Sequence, residues 1–159
     1  ALRQNLGSSR AEAQEFYNNF FLTFPKIESY FESVKTLAAK KGYTETLFGR
    51  RRYFPGLKSP IPYIKAMNER MAINAPLQGT AADIVKLAMI KVDEKLRAAK
   101  LHHNVHFLLQ VHDELIFEIK DEVKAEAVPL IKEAMETAIS ASVPIVANAA
   151  LGPNWAETK

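Results

Sequence analysis

Apolar residues recur along this chain first at helical spacing and then at strand spacing, and the changeovers mark its elements. Ala13, Phe16, Tyr17, Phe20 and Phe21 repeat every three or four positions, the period of a helix with one packed face. Ser9-Arg10-Ala11-Glu12 just before them is a capping box: the serine accepts from the backbone three residues on and the glutamate reaches back. Pro25 stops that helix and suits the first turn of the next. Ile27, Tyr30, Phe31, Val34, Leu37 and Ala38 form one stripe, and Gly42 suits the position just past a helix end. These two helices are expected to form a hairpin.

Residues 43–47 and 50–54 read as short strands around Phe48-Gly49. Pro55-Gly56 and Ser59-Pro60-Ile61-Pro62 are loop signals. A long helical pattern follows over residues 63–99, with Ala66, Met67, Met71, Ala81, Ile84, Val85, Ala88, Met89 and Val92 on its apolar side. Pro76 lies inside it and is expected to kink or break it. Val105, Phe107, Leu109 and Val111 alternate with His106, Leu108 and Gln110, and 115–119 is a second apolar run. Together they predict a hairpin with His112-Asp113-Glu114 at its turn. A helix over 121–141 with a kink at Pro129, a last strand over 144–150 and a turn at Gly152-Pro153-Asn154-Trp155 complete the chain. No internal repeat or low-complexity segment interrupts it. The order predicts an α+β fold, helices packed on a small antiparallel sheet with an N-terminal helical hairpin.

Composition narrows the class. The 159 residues are 48% hydrophobic and 25% charged, the balance of a globular domain and not of a disordered, collagenous or coiled-coil chain. No apolar run approaches the roughly 18 residues of a membrane span. The absence of Cys excludes disulfides and thiolate metal sites and fits a reducing compartment. Ala1-Leu2-Arg3-Gln4-Asn5 has no apolar core of a signal peptide, and a first residue that is not Met predicts a chain processed, trimmed or cut from something larger. Charge is uneven: residues 1–80 carry 12 Lys/Arg against 6 Asp/Glu, a balance of +6, and residues 81–159 carry 9 against 12, a balance of −3. A basic half beside an acidic half suits a polyanion surface next to a cation site, and equally an ordinary solvated surface.

Four groups of residues could carry chemistry. Asp113 and Glu114, beside His112, put two carboxylates on a hairpin turn that has no Gly. They form either a hard-cation site, since Mg²⁺ takes oxygen ligands and often only one or two from protein, or a polar tip in water. Arg70, Asn74 and Gln78 are spaced four apart and drift only about 40° per step around a helix. They are either a row of donors for the acceptors that every base pair shows in the DNA minor groove, or a solvated face. In Arg50-Arg51-Arg52, alternation sends Arg51 opposite its neighbours; guanidinium groups suit phosphate or guard an edge strand. The small residues of Gln78-Gly79-Thr80-Ala81-Ala82-Asp83 admit either a nucleic-acid backbone or another helix. His102, His103 and His106 have no metal-like partner in sequence and read as surface or sheet residues, and Trp155 as a packing anchor for the tail.

The order of these groups is more specific than any one of them. Gly49-Arg50-Arg51-Arg52, then Arg70-x3-Asn74-x3-Gln78-Gly79-Thr80-Ala81-Ala82-Asp83, then Gln110-Val111-His112-Asp113-Glu114-Leu115 closely resembles the C-terminal part of family A DNA polymerases, the bacterial enzymes above all. The resemblance runs from Leu2 to about Trp155. It implies the end of the fingers subdomain over 1–60 and the C-terminal part of the palm over 61–159. It also implies that Asp113 binds the catalytic magnesium ions with Glu114 as a supporting ligand, and that His112 lies near the primer terminus. Arg70, Asn74 and Gln78 would face the minor groove at the new pair, and Arg51 and Arg52 belong to a basic DNA-contacting stretch.

The implied reaction is phosphoryl transfer with two metal ions roughly 4 Å apart, one activating the primer hydroxyl and one steadying pyrophosphate. The implied partners are primer-template DNA and dNTP, in replication and repair, in a bacterial cytoplasm at the nucleoid. The sequence departs from the family at Pro55-Gly56 and Ser59-Pro60-Ile61-Pro62, so no template contact is carried over to that loop. A second palm aspartate and the fingers helix with its nucleotide-binding Arg, Lys, aromatic and Tyr residues are not in this sequence. The chain alone is therefore expected not to extend a primer, and its hairpin over 103–119, short of a partner strand, is expected to favour self-association. The rival classes are a non-catalytic nucleic-acid-binding or interaction module and a purely structural piece.

Overall fold

The computed structural model describes residues 7–158. The chain start, on which the signal-peptide and processing expectations rest, lies outside them. Ser9 caps the first helix, α1 (Arg10–Thr23), as the sequence predicts: its hydroxyl accepts from the Glu12 N–H at 3.3 Å and its own N–H donates to Glu12 Oε2 at 2.8 Å. Pro25 begins α2 (Pro25–Lys41), and Gly42 closes it at φ 81° with its N–H on the Ala38 carbonyl. A glycine there adopts the left-handed conformation without a Cβ penalty.

Strands β1 (Tyr43–Glu45) and β2 (Arg51–Tyr53) pair antiparallel, Tyr43 opposite Tyr53 and Glu45 opposite Arg51. A 3-10 turn, Pro55–Lys58, leads to the long helix α3 (Pro62–Ala98). Helix α3 has 37 residues and runs unbroken through Pro76, so the expected break does not occur. Proline costs a helix interior about 3 kcal/mol or more. Burial of the adjacent Ala72 and Ala75 against Ala38, Phe54 and Leu57 holds the backbone in place across it.

Helix α3 ends in a Schellman motif. The Leu101 N–H bonds the Leu96 carbonyl at 2.8 Å, the Lys100 N–H bonds the Arg97 carbonyl at 3.0 Å, and Lys100 takes φ 60° where glycine is usual. Leu96 and Leu101 then meet in one core with Val92, Val105, Ala127, Ile131 and Ala134. Strands β3 (Val105–Val111) and β4 (Glu114–Ile119) form the second hairpin, with a bulge between Phe107 and Leu109. A 3-10 turn, Asp121–Val123, precedes α4 (Lys124–Glu136), which runs through Pro129.

Helix α4 therefore stops short of the expected residue 141. Lys91 Nζ donates to the Thr137 carbonyl, which a longer helix would spend on its own next turn, and the Thr137 hydroxyl donates back to the Glu133 carbonyl at 2.6 Å. Nor is there a strand over 144–150. A strand exists where a neighbouring edge takes its backbone groups, and no described residue does so here: Val143 and Val146 stay exposed, and one bond from the Ala147 N–H to Glu136 Oε1 at 3.1 Å ties the segment down. Trp155 sits in a 3-10 turn, Trp155–Thr158, and is 40% exposed.

The architecture is α+β as predicted, with two separate two-stranded antiparallel sheets where one was expected. It divides into two units, residues up to Leu77 and from Gln78 onward. No helix among the described residues is long and apolar enough to cross a membrane.

Candidate nucleic-acid interface and carboxylate turn

The rotation of α3 is set by what it buries. Asn68, Ala72 and Ala75 are buried, and they recur at helical spacing. Two residues on a helix turn the side chain through about 200°, so Arg70 and Asn74, each two away from Ala72, point to the opposite side, and both are exposed. Gln78, one turn further along the same helix and at the start of the second unit, is exposed as well.

A close approach fixes this rotation. Gly56, in the 3-10 turn, faces the Asn68 side chain: a Cβ on Gly56 would lie 2.2 Å from Asn68 Nδ2. Nδ2 in turn donates to the Ile64 carbonyl at 2.9 Å, one helical turn back. Sequence reading passed over Asn68, although it sits in the stripe of Ala72 and Ala75, where a polar residue needs a local partner.

Arg51 and Arg52 part as alternation predicts. Arg51 pairs with Glu45 at 2.7 Å and lies over the Tyr43 ring at 4.7 Å. The Glu45 bond, then Tyr43, hold its guanidinium charged even more firmly than usual. Arg52 turns the other way, over the Phe54 ring at 5.4 Å and toward Met71 Sδ at 4.0 Å. Of the pair, Arg52 thus reaches α3 at Met71, while Arg51 pairs locally with Glu45. Arg50 is exposed. Ala81 and Ala82 are exposed too, whereas Gly79, Thr80 and Asp83 in the same run are half-buried.

In the second unit, His112 and Asp113 are the two residues of the β3–β4 turn, closed by the Val111–Glu114 pair. Only His112 of the two has a positive φ, 54°. That is the sense of a type II′ turn, whose first position normally takes glycine. Holding a non-glycine residue left-handed costs about 1–2 kcal/mol, and such strain concentrates at functional sites. Gln110 Nε2 donates to the His112 carbonyl at 2.5 Å and pins the turn. His112, Asp113 and Glu114 are all exposed.

No group of three or more His, Cys, Asp or Glu close enough to hold a metal occurs among the described residues. Two adjacent carboxylates on an exposed turn are a hard, incomplete donor set. It fits Mg²⁺, which takes few protein ligands and fills its octahedron with water and phosphate oxygens. His103 and His106 are exposed, His106 within β3, and His102 is half-buried, in line with surface or sheet positions.

Comparison with known proteins follows the same line. A sequence model of DNA polymerase family A matches residues 1–157. The chain is 44% identical to DNA polymerase I of Rhizobium leguminosarum over 160 residues, 98% of this chain and 16% of that protein. It is 42% identical to the thermostable DNA polymerase I of Thermus filiformis, over 99% of this chain and 18% of that one. Among solved structures, the POL domain of Pol1 from M. smegmatis in complex with DNA primer-template and dNTP superposes with a TM-score of 0.84 at 43% identity, covering 90% of this chain and 25% of that chain. The chain thus spans less than a fifth of the length of these two polymerases I.

Proposed function

The chain belongs to DNA polymerase family A, and from that membership we propose that it supplies part of the working surface of a template-directed DNA polymerase, acting with primer-template DNA and dNTP in replication and repair in the bacterial cytoplasm, at the nucleoid. In this reading residues 1–60 end the fingers and 61–159 form the C-terminal part of the palm. The observation that carries the reading is the rotation of α3: burial of Ala72 turns Arg70 and Asn74 outward as donors. Purine N3 and pyrimidine O2 lie at equivalent places in every correct pair, so Arg70, Asn74 and Gln78 test pair geometry without reading sequence. Arg52 adds positive charge beside Met71, and Arg51, held by Glu45, contributes less.

Asp113, supported by Glu114, would hold Mg²⁺ at the strained β3–β4 turn, with His112 beside the primer terminus. Metal ions held there in a complete enzyme would supply activation of the primer hydroxyl and neutralisation of charge on the leaving pyrophosphate. Asp113 supplies a carboxylate on a rigid hairpin, so its oxygens are aimed before substrate arrives. The chain by itself is proposed not to extend a primer, and to self-associate when no other polypeptide covers its hairpin.

Fluorescence anisotropy with a primed template tests the reading. Binding that is salt-dependent, tightened by Mg²⁺ and weakened by both Arg70→Ala and Asp113→Ala supports it. Binding that ignores Mg²⁺ and Asp113→Ala points to a non-catalytic nucleic-acid-binding module. Absence of salt-dependent binding leaves a structural piece.

A further inference from the structure

We propose that Gln110 is a positioning residue for the Asp113 carboxylate: its side-chain amide fixes which way the peptide between His112 and Asp113 faces. This rests on the role given to Asp113 above. The bond itself lies within one hairpin and holds whatever else packs on that hairpin. Two turn types commonly join antiparallel strands through two residues. In type II′ only the first of the two has a positive φ; in type I′ both do. The two types differ by a flip of the peptide between those residues, and its carbonyl here belongs to His112.

Local preference leaves both turns open. His and Asp are among the few non-glycine residues enriched in the left-handed region, and neither position holds glycine. Yet only His112 has a positive φ, 54°. Gln110 makes the choice. Side chains two apart on a strand share a face, and Gln110 Nε2 donates to the His112 carbonyl at 2.5 Å. A flip turns that carbonyl to the other side and breaks the bond. Gln110 is itself placed by the ladder, opposite Leu115 and one step before the closing Val111–Glu114 pair.

The consequence falls on Asp113. A flip carries Asp113 to positive φ, and the rotamers open to a side chain depend on its backbone angles. Holding the peptide therefore narrows the directions in which the carboxylate leaves the turn before a metal ion arrives. Only a donor can do this: an ionised glutamate of the same length accepts and cannot donate, and methionine, of similar length, has no donor.

NMR of the isotope-labelled whole chain, without DNA or metal, gives the first readout. The one-bond Cα–Hα coupling of Asp113 distinguishes negative from positive φ, and Gln110→Met should shift it toward the positive-φ value. Gln110 is exposed, so the substitution leaves the core intact. In a His112→Gly background the same substitution should leave the coupling in place, because glycine takes the first position of a type II′ turn unaided. Fluorescence anisotropy with a primed template gives the second readout. Gln110→Met should raise the Mg²⁺ concentration at half-maximal tightening at least about five-fold, the weight of one hydrogen bond, and leave the affinity without Mg²⁺ nearly unchanged. An unchanged Asp113 coupling would overturn the proposal, and so would an unchanged Mg²⁺ midpoint. If the unsubstituted chain shows no Mg²⁺ effect at all, the polymerase reading fails and the role of Gln110 falls with it, while the coupling still reports the turn.

Discussion

Replacing Gly56 with alanine tests how the donor face of α3 is held. The backbone at Gly56 is not left-handed, so the new Cβ adds no dihedral strain, and fewer unfolded conformations would by themselves stabilise by about 0.4–1 kcal/mol. Against that, the Cβ would lie 2.2 Å from Asn68 Nδ2, 2.6 Å from Cγ and 2.9 Å from Oδ1. All three belong to one side chain, but that side chain is buried and bonded to the Ile64 carbonyl.

Moving it breaks a hydrogen bond worth about 1 kcal/mol and risks a buried unpaired amide at about 1–3 kcal/mol. Overpacking adds cost of similar size. The net expectation for Gly56→Ala is a loss of about 1–3 kcal/mol by urea unfolding followed with far-UV circular dichroism. A double-mutant cycle isolates the cause: in an Asn68→Ala background the clash has no partner, so Gly56→Ala should cost close to nothing or stabilise slightly. Equal effects in both backgrounds would refute the seam between the 3-10 turn and α3.

Lys100→Gly should stabilise by about 1 kcal/mol, read as a rise in thermal midpoint, because Lys100 now takes the left-handed position of the Schellman motif. His112→Gly should likewise stabilise the β3–β4 hairpin by about 1 kcal/mol in urea unfolding, while weakening Mg²⁺-dependent binding of a primed template. Lys95 holds the Glu133 carboxyl below its ordinary value of 4.5. The Lys95–Glu133 pair therefore contributes stability above about pH 4.5 and loses it as pH falls through the lowered value. Glu133→Gln should flatten that acid limb in a pH series of thermal midpoints. Arg52→Ala should reduce the slope of log affinity for DNA against log salt by about 1, and an unchanged slope would remove Arg52 from the interface.

Much of this fold could be read from residue pattern because its signals are local. The capping box at Ser9, the glycine end of α2 and the alternation of β3 each act within a few residues, and each element lies where it was expected. The misses have non-local causes. Pro76 does not break α3, because the cost of proline is opposed by packing of Ala72 and Ala75 against residues from elsewhere in the chain. Helix α4 ends early through Lys91, 46 positions away from Thr137, a contact no window of sequence contains. The segment 144–150 has a strand's pattern but no strand beside it. At the candidate site, spacing gave Arg70 and Asn74 a shared side of α3, but that this side points away from the core depends on the burial of Ala72. The divergence of Arg51 and Arg52 followed from alternation, but their partners Glu45 and Met71 did not. The left-handed His112 left only one trace in the sequence, the missing glycine in a two-residue turn.

The proposed function has this chain carry the donor row and the Asp113 turn of a working polymerase. Its most direct test is to put the chain in place of the 158-residue stretch it matches in the Thermus filiformis polymerase and measure primer extension with Mg²⁺ and dNTPs. The account predicts that the folded chimera extends a primed template, and that Asp113→Asn lowers the rate more than about a hundred-fold, the scale on which loss of one electrostatic group at a reacting centre acts. A folded chimera that binds primed template yet does not extend it, or one that extends equally well with Asp113→Asn, would contradict it.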